Sequence, residues 1–181
     1  MIIVLRKRIA FVLTLLLVLL VGCDTDYEAS QNNYRSNLDT GNLNIALVGD
    51  KGIKNIEGVN FVETNLQSLI QEKHTTYDGI LIYRNSFQEA IKMEYKDFFR
   101  ETEVPIFFID AEDILVASFR EKVYSLEEAK ISWSGAYAAG FLSTEDGYKE
   151  WSLHLPNQPT KVDKEEKIIM RIIDIINKNK Q

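Results

Sequence analysis

Gly79-Ile80-Leu81-Ile82-Tyr83 and, further on, Ile106-Phe107-Phe108-Ile109 decide how this chain is read. Both are continuous apolar runs, too short for helices and too uniformly apolar for half-exposed strands. Runs of that kind suit parallel strands covered on both faces. Tyr77-Asp78 introduces the first, and Pro105 opens the second, where a missing N–H costs little. Between them, Ser86-Phe87-Gln88-Glu89 has the form of a capping box. Phe87, Ala90, Ile91, Tyr95, Phe98 and Phe99 then recur at helical spacing. The unit is strand, helix, parallel strand.

Working outward, Leu43–Val48 (LNIALV), closed by Gly49-Asp50, reads as another buried strand, and Val59–Val62 as a weaker one. Asn65 is placed to cap a helix through Leu66, Leu69 and Ile70 to about Lys73. Past Ile109, a helix is expected from Asp113 to about Lys122. A short helical turn is expected at Ser125–Lys130, where Ser125-x-x-Glu128 repeats the capping pattern. Ile131–Leu142 and Tyr148–Leu155 flank a polar turn and read as an antiparallel hairpin. Asp163-x-x-Glu166 should start a final helix. Ile168, Ile169, Ile172, Ile173 and Ile176 form its apolar stripe, and Lys178 and Lys180 sit near its negative end. The alternation implies an α/β fold over residues 42–181: a three-layer sandwich on a mostly parallel sheet, with an antiparallel hairpin in the C-terminal half.

Tyr77-Asp78-Gly79-Ile80-Leu81-Ile82, a helix, and then Val104-Pro105-Ile106-Phe107-Phe108-Ile109-Asp110 resembles one lobe of type I periplasmic binding proteins and their repressor relatives. Those proteins close two lobes over a ligand, whereas the length here suffices for one. The resemblance carries over no ligand residue.

The N-terminus has a different character. Basic Arg6-Lys7-Arg8 precedes an apolar stretch from Ile9 to Val21, and Leu20-Val21-Gly22-Cys23 is similar to the lipobox of bacterial lipoproteins. That resemblance implies a cleaved signal peptide over residues 1–22. It also implies a diacylglyceryl group on the sulfur of Cys23, whose new amino terminus is a further site open to acylation, so at least two acyl chains would hold the protein stably. The thirteen residues from Ile9 to Val21 reach roughly 20 Å as a helix, short of a ~30 Å hydrocarbon core. Cys23 is the only cysteine, so an intrachain disulfide is excluded. Residues 24–41 are rich in Asp, Asn, Ser and Thr and read as a flexible tether of roughly 23 Å root-mean-square reach.

The full chain carries 21 basic and 27 acidic residues, a net charge of −6. Without Arg6, Lys7 and Arg8 the mature protein would hold 18 against 27, a net of −9. Nucleic acid is bound by neutralising phosphates with Lys and Arg, so that class of partner is excluded. The same excess disfavours lying flat on an anionic bilayer.

Open α/β sheets bind ligands beyond the carboxyl ends of their strands. Here those ends carry Asp50, Glu63, Arg84 with Asn85, and Asp110 with Glu112 and Asp113, a candidate ligand rim. Turn and cap chemistry accounts for the same residues without a ligand, and neither a functional metal site nor a cofactor is expected. Asp50-Lys51-Gly52 matches no phosphate-loop pattern. His74 and His154, the only histidines, lack Cys or His partners at metal spacing, and Trp133-Ser134-Gly135 is not a nucleophile elbow. Trp133, Tyr137, Phe141, Tyr148 and Trp151 make the hairpin aromatic, as a partner surface or as packing.

Three functions fit these residues. A non-enzymatic lipoprotein on the extracytoplasmic face of the cell membrane, binding another envelope protein, comes first. A single-lobe binder of a small ligand at the strand-end rim comes second, and a metal-assisted hydrolase last. The anchor is directly testable: Cys23→Ser should release the protein from membranes. Fractionation after a high-salt wash checks this, and retention of the Cys23→Ser protein refutes the lipid anchor.

Overall fold

The computed structural model describes residues 42–49, 52–71, 76–132 and 135–180. The lipobox with Cys23, the tether, Asp50, His74 and Trp133 lie outside them. Three apolar runs become the middle of the sheet: β1 (Leu43–Val48), β3 (Gly79–Tyr83) and β4 (Ile106–Ile109). Every residue of β4 is buried, as a strand covered on both faces requires. With β2 (Val59–Thr64), β5 (Ala138–Thr144) and β6 (Gly147–Leu153) they form one six-stranded sheet in the order β2-β1-β3-β4-β5-β6. The first four strands pair in parallel, and β5 and β6 join antiparallel. The fold is therefore the α/β sandwich that the alternation implied.

Strand periodicity sorts the core into two layers. On one face Ala46, Val48, Ile80, Ile82, Ile106, Phe108 and Phe141 pack against α1 (Leu66–Gln71), α2 (Phe87–Ala90), α3 (Lys96–Glu101) and a 3₁₀ turn, Val116–Phe119. Phe108 stacks on Phe119 with centroids 4.0 Å apart, and Phe87 meets both edge-on. The opposite face receives α4 (Ile168–Lys178), in which Ile168, Ile169, Ile172, Ile173 and Ile176, the expected stripe, are all buried. Ile176 lies directly over Gly79, where an added Cβ would overlap it. Burying each isoleucine contributes on the order of 1.5–3 kcal/mol relative to exposure.

Local signals held where they were self-contained. The Asn65 side chain accepts from the Ser68 amide at 2.9 Å and caps α1. Ser125 and Glu128 exchange the reciprocal bonds of a capping box. Elsewhere tertiary pairing overrode them. The helix expected from Asp113 to Lys122 is reduced to the 3₁₀ turn, because its backbone bonds across the chain. The Leu115 amide donates to Ala129, the Ile131 amide donates to Asp113, and Ile114 bridges Lys130. The same pairing delays β5 to Ala138: the Gly135 amide donates to Glu112 and the Ala111 amide to Tyr137. Ser86 makes no cap bond; Glu89, its expected partner, accepts from the Tyr95 hydroxyl at 2.9 Å. An extended Lys92 divides the helix expected there into α2 and α3. Ile70 is exposed, since α1 turns Leu66 and Leu69 inward instead.

The last helix starts a turn earlier than Asp163. The Thr160 amide donates to the Asp163 carboxylate at 2.8 Å, and the Asp163 amide donates back to the Thr160 hydroxyl at 3.2 Å. A π-helical turn, Asp163–Lys167, follows and leads into α4. The Thr160 hydroxyl and Lys167 hold the Asp163 carboxyl down to about 2.

Lys96 is buried in the middle of this layer, its ammonium donating to the Ser118 carbonyl at 2.6 Å and tying α3 to the 3₁₀ turn. Burial, reinforced by Arg100, pushes it down to about 8 from an ordinary 10.5. Between those values the unfolded chain holds the extra proton, so this residue makes stability rise as pH rises through the window. Thermal melts across that range should show the rise in the native protein. In the Lys96→Met protein that rise should be absent if Lys96 is the cause.

Candidate functional site

β1 is paired on both sides, to β2 and to β3, so the chain steps one way from β1 and then reverses. Ligands of open α/β sheets bind where strand order reverses, outside the carboxyl ends. There β1 ends in Gly49 at φ +93°, a left-handed conformation natural to glycine. Its carbonyl accepts from the Asn85 amide group, and a Cβ at Gly49 would collide with the Asn85 and Ser86 side chains. β3 ends in Tyr83 and turns through Arg84–Ser86. β4 ends in Asp110 at φ +63°, a non-glycine residue in left-handed backbone. A cavity of about 510 Å³ opens over these three strand ends. Tyr83, Arg84, Asn85, Asp110 and Tyr137 line it, together with Gly52 and Ile53 and with Lys161, Lys164 and Glu165 from the last helix.

Charge on the rim is partly committed. The Arg84 guanidinium forks onto the Asp113 carboxylate at 2.6 and 2.9 Å and also donates to the Asp110 carbonyl at 2.7 Å. That fork raises Arg84 above its ordinary value and holds the Asp113 carboxyl below the usual carboxylate range. Arg84 therefore clamps the left-handed turn at Asp110. The Asp110 carboxylate itself accepts no hydrogen bond from another described residue. Lys164 sits 5.6 Å from the Tyr137 ring centre, and Lys161 pairs loosely with Glu165 at 3.6 Å.

The chain matches no known protein family, no curated protein and no solved structure. Ligand residues must therefore be read from this geometry alone.

Of the rim residues expected from sequence, Arg84, Asn85 and Asp110 line the cavity, and Asp113 stands behind Arg84. Glu63 lies apart from it, on edge strand β2, and the Glu112 carbonyl is spent on Gly135. Among the described residues no group of three His, Cys, Asp or Glu side chains is arranged to hold a metal ion. The hairpin aromatics do not form one surface. Tyr137 joins the cavity wall, while Trp151 stacks on Phe107 at 5.6 Å over Gly140, which leaves room for that ring. Tyr148, on the other face, lies under the Arg120 guanidinium at 4.1 Å beside buried Phe141.

Sequence reading missed Lys161, Lys164 and Glu165. One signal for them existed: two lysines open a helix, at the end where the macrodipole disfavours positive charge.

The clamp predicts a titration. In the native protein Asp113 should ionise below 3.8, and Arg84→Gln should return it upward. The stabilisation it lends is present above that value and is lost as pH falls through the lowered one. Carboxyl NMR shifts against pH read this directly, and salt should weaken the effect because both side chains are partly exposed.

Proposed function

We propose that this protein is a lipid-anchored, non-enzymatic binding protein of the bacterial envelope, with the cavity at the ends of β1, β3 and β4 as its site for a small ligand. The carrying observation is the cavity's position at the reversal of strand order. Its volume falls within the ~300–1,000 Å³ of small-molecule sites. Left-handed Asp110, clamped through its own carbonyl, adds support, since strained non-glycine backbone concentrates at ligand sites. The non-enzymatic part is carried by the sequence expectation alone, in which Trp133-Ser134-Gly135 is not a nucleophile elbow. The anchor rests on the lipobox at Cys23, and the tether would keep the site near the membrane surface.

This reading gives the small ligand more weight than an envelope protein partner, because Trp151 and Phe141 are engaged in packing. Native mass spectrometry of the full-length protein, released from membranes in mild detergent and offered a small-molecule extract of the envelope, tests it. The expected result is a saturable adduct that raises the melting temperature, by roughly 2.7 kcal/mol of stability at a hundredfold excess over Kd. A protein that takes up nothing, and copurifies instead with a stoichiometric protein, would replace this reading with the partner-binding one.

A further inference from the structure

We infer that the cavity takes a small phosphorylated polyol, its phosphate between Lys161 and Lys164 and a hydroxyl on Asp110. This rests on the small-ligand reading above and narrows it to a chemical class.

Two lysines line this cavity in a chain whose acidic residues exceed its basic ones by six. Neither is tightly held: Lys161 is 3.6 Å from Glu165 with most of its side chain exposed, and Lys164 hangs over the Tyr137 ring. Arg84 is the group whose planar fork would match a ligand carboxylate, and Asp113 has already matched it. What the site offers an anion is therefore ammonium, a compact charge with three donors. Two of them suit a tetrahedral phosphate, which presents acceptors in several directions. Asp110 demands the opposite chemistry. Its carboxylate lines the same cavity, has no described hydrogen-bond partner and can only accept, so it requires a donor such as a hydroxyl. Tyr83 and Tyr137 supply ring surface for the carbon skeleton. A bare anion would meet repulsion from Asp110 and Glu165; a phosphate carrying hydroxyls satisfies both signs.

Such a phosphate could arrive free in solution or as a lipid headgroup. Thermal melting of the full-length protein in detergent at low ionic strength distinguishes them. Glycerol 3-phosphate should raise the melting temperature saturably, and glycerol at equal concentration should not. Monomeric dihexanoyl phosphatidylglycerol presents the phosphate as a headgroup. A shift with it assigns the headgroup, and a shift with glycerol 3-phosphate alone assigns the free polyol. Lys161→Gln with Lys164→Gln, both solvent-facing, should leave the ligand-free melt in place and weaken binding about tenfold or more. Asp110→Asn, which tolerates left-handed backbone, should weaken glycerol 3-phosphate relative to inorganic phosphate, which loses a repulsion. Two inert phosphates, or a shift that survives the double lysine change, overturn the inference. Stabilisation by a neutral or cationic compound instead would keep the small-ligand reading and discard the phosphate.

Discussion

The double pairing of β1 is the constraint on which the rest of the molecule depends. Leu43–Val48 is hydrogen-bonded to β2 on one side and to β3 on the other, in parallel with both. A strand so placed must be apolar on both faces, and all but one of its residues are buried. It also forces the chain to reverse its direction across the sheet. The reversal leaves a cavity at the carboxyl ends, lined there by Gly49, Tyr83, Arg84 and Asn85. The left-handed Gly49, the Asn85 bond to its carbonyl and the cavity beyond are consequences of that one arrangement.

Around this centre the two faces are built differently. One is an aromatic layer in which Phe87, Phe99, Phe108 and Phe119 lock edge to face and face to face. It buries Lys96, which spends its charge on a single carbonyl and holds a 3₁₀ turn against the helices. The other face is covered by one helix whose stripe is entirely isoleucine. That helix has a second role. Its opening turns, capped by Thr160 and Asp163, bring Lys161, Lys164 and Glu165 to the cavity. Packing and site are coupled, because the isoleucines that bury the sheet also set where the lysines stand.

Strand positions, the cap at Asn65, the Ser125–Glu128 pair and the amphipathic last helix were all legible from neighbouring residues. Each depends on chemistry within a turn or on a repeat of two or 3.6 residues. Boundaries failed between Asp110 and Ala138. There the helical pattern from Asp113 to Lys122 lost to backbone bonds between Asp113–Leu115 and Ala129–Ile131. Those bonds join segments whose pairing no local pattern encodes. The aromatic hairpin illustrates the same limit. Its residues were visible, but whether Trp151 faced solvent or a ring depended on Phe107, which arrives from β4.

The sequence by itself determined the class of fold, because continuous apolar runs separated by helical periods can be buried only in layers. It also determined the acidic balance, and the Leu20–Cys23 pattern on which the proposed lipid attachment rests. Only the tertiary structure decided the site. Arg84 could have been a ligand residue, and it became a clamp once Asp113 came within 2.6 Å. Lys161 and Lys164 gave no sign of belonging with Asp110 until α4 packed across the sheet and carried them there. The reason is physical: burial and periodicity act on neighbours along the chain. A binding site is made by side chains far apart in sequence, and hydrophobic packing brings them together without regard to their charge.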